Sequence, residues 1–264
     1  MSELDSPETS SLLLKTGRLL FALTVVASGI YQLVTARWVN LVPVNPAHLP
    51  PLWLAYLFGV LLVLIGAGLL VRKTVLPAAI ALATLLLVLF FGFSLRVAIP
   101  HASMGYVWVD PLMILAILGG VSLVVYPREG SSASSADRVF EKATHFVPWA
   151  LGAFLAYCGA LHFPYAKYVA GLIPPWIPGH MFWTYFAAVA LIAGGIGVVV
   201  PQTARMAAML SGVMLFSWFF LVHIPLAINT HTVSEVSRGF QALQDSAVAF
   251  MLAGTVHIRK RSDQ

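Results

Sequence analysis

The chain has 264 residues, 59% of them hydrophobic and only 9% charged, with a net charge of +5 and one cysteine. Apolar runs long enough to cross a hydrocarbon core of about 30 Å mark an integral membrane protein. They lack the alternation of barrel strands, so the spans are helices and the fold class is all-α. A single cysteine, Cys158, excludes an internal disulfide and a thiol-rich metal site.

Residues 1–17 carry Glu3, Asp5 and Glu8 where a signal peptide wants positive charge, and they read as a soluble cytoplasmic tail. Hydrophobic runs between punctuation then predict spans near 18–36, 52–71, 75–99, 109–126, 147–163, 180–200, 203–224 and 238–257. Between the first two lies "NLVPVNPAHLPPLWLAY" at 40–56, a run of prolines, histidine and aromatics that no helix crosses. The third span holds Arg96, in "FSLRVAIP", a basic residue well inside an apolar segment. It either snorkels outward or pairs with Asp110. Asp110 precedes Pro111 at the start of the fourth span, where aspartate suits an N-cap and proline the first helical position.

"PREGSSASSADRVFEKAT" at 127–144 reads as a flexible Ser-rich linker, assigned to 128–146. It separates a first unit, 18–127, from a second, 147–257, with a basic tail over 258–264. The second unit contains "GLIPPWIPGHMFWTY" at 171–185, the same kind of passage as the one at 40–56. Lys15, Arg18, Arg72, Lys73, Arg128, Arg138, Lys142, Arg205, Arg259, Lys260 and Arg261 fall on one side, against Arg37, Arg96, Lys167 and Arg238 on the other. The positive-inside rule then puts both termini in the cytoplasm and both proline passages outside. These cations cluster at helix ends, which argues against a nucleic-acid partner.

Sliding one half over the other aligns Gly29 with Gly159, Arg37-Trp38-Val39 with Lys167-Tyr168-Val169, Tyr56 with Tyr185, and Gly66 and Gly68 with Gly195 and Gly197. "FGFSLRVAIP" at 91–100 lies over "FSWFFLVHIP" at 216–225, setting Ala98 opposite His223, while Gln32 stands where the second half has His162. Asp110 meets Asp245, each followed nine residues later by a glycine. Four spans per copy make this a parallel repeat of two four-helix bundles.

Asp245 sits deep in "FQALQDSAVAFMLAG", with Gln241 one turn before it on the same face. A carboxylate at the centre of a span costs about 2.5–3.5 kcal/mol on insertion scales, so it either holds helices together or serves a site. His162 and His223 end spans on the outward side, at a depth similar to that of Asp245. With Gln241, Tyr185 and His180 they form the candidate ligand-binding set; Arg96 and Asp110 are secondary candidates. Such a set could hold a polar head group or pass a proton. No spacing puts two metal ligands on one helix, and no metal is expected. Trp38, Trp53, Tyr56, Trp108, Trp176, Phe182, Trp183 and Tyr185 suit an interfacial belt or an aromatic-lined mouth for a quinone ring.

"GALHFPYAKYVAGLIPPWIPGHMFWTYFAAVALIAGGIGVVVPQTARMAA", residues 159–208, with "WFFLVHIP" at 218–225, resembles the DoxX family of small bacterial membrane proteins. The resemblance implies a four-helix transmembrane unit in a bacterial-type inner membrane, present here in two copies. Some relatives are membrane subunits of thiosulfate:quinone oxidoreductase and others belong to membrane redox complexes. The resemblance therefore implies a redox-associated accessory protein with a quinone or another lipophilic small molecule as its ligand and a membrane or peripheral redox protein as its partner. No residue singled out here is a catalytic nucleophile. The alternatives are a non-enzymatic scaffold and, third, a small-molecule transporter.

Overall fold

The computed structural model describes residues 6–37, 51–126 and 134–262. Among these residues every regular element is helical. Trp38 and Val39, the part of the first proline passage over 40–50, and Arg128 lie outside them.

Helix α1 (Pro7–Thr35) begins well before the predicted span. Ser6 caps it by accepting a hydrogen bond from the Thr9 N–H at 3.1 Å, Pro7 occupies the first turn and Glu8 sits at the positive end of the helix dipole. The tail expected over 1–17 is thus helical from Pro7, and Ser10, Leu14 and Gly17 are buried in it. Helix α2 (Leu52–Leu70) follows, and then α3 (Val75–Leu89) runs through a π turn at Phe90–Ser94 into α4 (Leu95–Ala98). A 3₁₀ turn at Gly105–Trp108 leads into α5 (Val109–Val125).

The segment expected to be a flexible linker contains α6 (Ser135–Thr144). Ser134 and Asp137 close a reciprocal capping box, with the Ser134 N–H donating to Asp137 Oδ2 at 2.9 Å and the Asp137 N–H to Ser134 Oγ at 3.2 Å. Then come α7 (Val147–Leu161), α8 (Ala166–Leu172) and α9 (His180–Val199). Helix α10 (Ala204–Trp218) passes through a second π turn, Phe219–His223, into α11 (Ile224–Thr230), and α12 (Val233–Ser262) ends the described chain. The backbone expected to form a basic tail from 258 is helical to Ser262.

Among the described residues six helical segments are long and apolar enough to cross a membrane: Pro7–Thr35, Leu52–Leu70, Val75–Ala98, Gly105–Val125, His180–Val199 and Ala204–Thr230. The pair α6–α7, bent by 43°, makes a seventh if taken as one span. Two of the eight expected spans do not meet that measure on their own, for physical reasons. Alone, α7 has 15 residues, about 22 Å of helix. Helix α12 is too polar to qualify, yet it is the best buried: Asp245, Ser246, Ala247, Val248, Met251, Leu252 and Ala253 are all inaccessible or nearly so. A helix wrapped in protein has no lipid to match and tolerates polar side chains that a lipid-facing helix does not. Leu64, Phe91, Phe182, Ile196 and Leu210, by contrast, are exposed on the outer helices.

The helices pack in a closed circuit: α1 on α2, α2 on α3, α3 on α5, α5 on α7, α7 on α9, α9 on α10, α10 on α12, and α12 back on α1, with α5 and α12 meeting across the middle. Glycines set the tightest crossings. A Cβ on Gly29 would lie 2.7 Å from Gly59 O, and one on Gly159 would lie 2.6 Å from Ala188 O, so α1–α2 and α7–α9 pack backbone to backbone. A Cβ on Gly66 would meet the Val26 N at 2.8 Å, and one on Gly195 would meet the Ala156 N at 2.7 Å. The next turns match as well. Thr74 Oγ1 donates to Gly68 O at 2.9 Å and Thr203 Oγ1 to Gly197 O at 2.9 Å, closing the α2–α3 and α9–α10 corners in the same way.

That matching fixes the register of the third helix of each half. From the corners at Thr74 and Thr203, the π turns fall at Phe90–Ser94 and Phe219–His223, the same distance along each helix. Ser94 therefore stands opposite His223, one helical turn away from Ala98, which the sequence alignment placed there.

Candidate polar site around the second π turn

Pro225 lacks the N–H that would bond to the carbonyl of Leu221, and its ring crowds that turn, so α10 widens into the π turn just ahead of it. The wide turn carries His223, whose Nδ1 is buried without a hydrogen-bond partner among the described residues. Helix α12 comes close because position 239 is glycine: a Cβ there would lie 3.3 Å from Phe219 Cε2 and 3.4 Å from His223 Cβ.

Two turns along α12, Asp245 is 3% exposed and its Oδ1 has no hydrogen-bond partner among the described residues. Gln244 Oε1 is buried in the same condition. Ser246, by contrast, is satisfied, donating to Gly212 O on α10 at 2.8 Å. An unsatisfied buried acceptor costs about 1–3 kcal/mol, more when charged, so Asp245 and His223 together hold a substantial unmet demand for partners.

Other polar groups lie near this pair. Cys158 on α7 lies within electrostatic reach of Asp245 and of Asp110. Arg238, near the start of α12, forms an ion pair with Glu235 and lies within electrostatic reach of both His223 and Asp110. Tyr157 Oη donates to Gly105 O at 2.8 Å, tying the C-terminal part of α7 to the turn that precedes Asp110. Asp110 is half-buried in the first turn of α5, with Trp108 as the capping residue and no side-chain cap. The N-cap expected of it is not made.

Arg96 is exposed on α4. The cation within electrostatic reach of Asp110 is Arg238, which belongs to the opposite half. Arg238 was legible in the sequence only as an end-of-helix positive charge. The signal for more was Glu235 three residues earlier, one helical turn away.

The remaining candidates divide. His162, at the end of α7, turns back on its own helix, with Nδ1 2.7 Å from Cys158 O. Gln241 is half-buried one turn from Asp245. Tyr185 and His180 belong to a separate outer surface. Tyr185 is exposed and its ring lies 5.8 Å from that of Phe163. His180, half-buried, opens α9, and its carbonyl accepts from Thr184 Oγ1 at 2.9 Å. Beside them on α9 the Phe182 and Phe186 rings stack, and Trp183 meets both edge to face.

The proline passage of this half is ordered by its own contacts. The Ile177 N–H donates to Pro174 O at 3.0 Å, Gly179 turns with φ +74°, and Trp183 Nε1 donates to Pro178 O at 3.1 Å. Short helix α8 lies on α9. Among the described residues no three His, Cys, Asp or Glu side chains come together as metal ligands.

A family model described as a domain of unknown function (DUF8561) matches residues 151–259, from within α7 to near the end of α12. The chain is similar to that domain over the segment that carries His162, His223, Asp245 and the second proline passage. No curated protein and no solved structure matches the chain.

Proposed function

We propose that the chain is a multi-pass inner-membrane protein of eight spans, arranged as two parallel four-helix units, and that its second unit binds the polar head of a quinone-class molecule between His223 and Asp245. The observation that carries the reading is the pair of buried, unpartnered atoms His223 Nδ1 and Asp245 Oδ1 on adjoining elements. A ring bearing carbonyl or hydroxyl groups offers acceptors and donors to match them, and an apolar tail suits the lipid-facing surface outside. Supporting the eight spans are the burial of α12 and the extension of α7 by α6 and α8.

The resemblance of residues 159–208 to the DoxX family supports a redox-associated accessory role in a bacterial-type membrane, with both termini cytoplasmic and a membrane or peripheral redox protein as partner. The exposed aromatics along α9 supply an apolar approach from the outer interface. Matched interruptions in the third helix of each half favour a second reading, a small-molecule transporter, because such breaks in corresponding positions mark binding sites in repeat transporters.

Purification in mild detergent followed by mass spectrometry of the co-purifying lipophiles tests the proposal. Wild type should retain a quinone or isoprenoid of which an Asp245→Asn/His223→Ala variant holds measurably less while keeping its melting behaviour. Only bulk phospholipid in both samples would defeat the ligand reading. A large loss of thermal stability with no ligand to lose would assign these residues to a scaffold.

A further inference from the structure

The two π turns occupy the same place in the two halves, and each presents one buried polar atom that no group among the described residues satisfies: Ser94 Oγ in the first and His223 Nδ1 in the second. A serine inside a helix ordinarily donates to the carbonyl one turn back, as Ser28 does to Thr24 O at 2.8 Å and Ser217 to Val213 O at 2.8 Å. Ser94 is 2% exposed and makes no such bond.

The surroundings match too. The first π turn packs on α5, which carries Asp110, as the second packs on α12, which carries Asp245. Gly119, nine residues after Asp110, would press a Cβ on Val147 of α7 at 3.2 Å. Gly254, nine residues after Asp245, would press one on Leu14 N of α1 at 2.8 Å. Both aspartate-bearing helices thus approach the first helix of the opposite half at these glycines, on a side chain at Val147 and on backbone at Leu14. Orphaned buried atoms are rare in native proteins, and their recurrence at matched positions calls for a common cause.

We infer that the molecule holds two pseudo-symmetric sites, one at each π turn, and that the first takes the same quinone-class head through the Ser94 hydroxyl, with Asp110 at its edge. The inference rests on the reading of the second half given above and extends it to the first. The two sites differ in chemistry. Ser94 can donate and accept but carries no charge at any ordinary pH, whereas the second site pairs an imidazole with a carboxyl. The Ser94 hydroxyl therefore holds a head group without exchanging protons with it.

Equilibrium binding of decylubiquinone to the full chain in detergent micelles, read as equivalents bound at saturation, tests this. Wild type should bind two per chain. Ser94→Ala should bind one, His223→Ala one, and the double variant none. Ser94→Cys, which preserves side-chain volume, should also fall to one and guards against a packing artefact. Melting curves establish that each variant is folded. A single equivalent in wild type that His223→Ala abolishes and Ser94→Ala leaves intact would overturn the first site, at Ser94, while the reading of the second, at His223, stands. No binding by wild type would overturn both.

Discussion

At matching places the first half carries Gln32, Ser94 and Asp110, and the second carries His162, His223 and Asp245. The first set is largely committed to structure. Gln32 is fully buried and donates to Ala55 O at 2.6 Å, joining α1 to α2. Asp110 lies within electrostatic reach of Arg238 from the opposite half. The second set is less spoken for. His162 folds back on Cys158 O, while His223 and Asp245 each keep a buried atom without a partner. What the halves share is the backbone contact plan, in which glycines set helix approach and threonines close the corners. What separates them is the chemistry hung on that plan, which is why a shared fold says little about shared work.

The strongest way to break the comparison is at the helix crossings. Gly66→Val and Gly195→Val each force a side chain into the backbone of the preceding helix, at Val26 and Ala156 respectively. Each should cost about 3 kcal/mol, with little to choose between the two. Thermal melts in one detergent check this, and a large inequality would show that the halves do not depend on their crossings alike.

Next comes an asymmetric tie. Arg205 on α10 donates to Ser10 Oγ on α1 at 2.6 Å and to Ala253 O on α12 at 3.4 Å, fastening three helices from both halves at one end. Arg18 on α1 likewise donates to the carbonyls of Leu123, at 3.4 Å, and Tyr126 at the end of α5. Arg205→Ala should cost about 2 kcal/mol, measured by the same melts, and Arg18→Ala a similar amount. A null effect of either would mean that the seam is held by packing alone.

The finest comparison is at the corners. Thr74→Val and Thr203→Val each remove one hydroxyl donor from an otherwise identical turn, since both hydroxyls also approach a second carbonyl at 3.3 Å. Each should lower stability by about 1 kcal/mol, and equally. Because the effect is small, parallel measurement of the two variants matters more than either value.

Much of this plan was readable from residue types. The repeated glycines stand out in sequence because a backbone crossing accepts nothing larger, and the threonine corners follow them. The third helix was misaligned by a turn because apolar runs of Phe, Leu and Val look alike at several offsets. A π turn also shifts facing without leaving a residue signature in the first half, where no proline follows closely. The start of α1 and all of α6 were missed although their caps, Ser6-Pro7-Glu8 and Ser134 with Asp137, are local signals. A mostly polar stretch was weighed by composition before its capping chemistry. Arg238 escaped because its role depends on the contact between halves, which no local pattern encodes.

The central claim is that His223 and Asp245 receive a ligand. An experimental density map of the wild-type protein in lipid nanodiscs, detailed enough to place side chains, would test it most directly. The account predicts non-protein density with a ring-sized head touching both His223 Nδ1 and Asp245 Oδ1, and a tail leading toward the aromatics of α9. Finding both atoms satisfied by protein groups or water alone, with no such density, would contradict it.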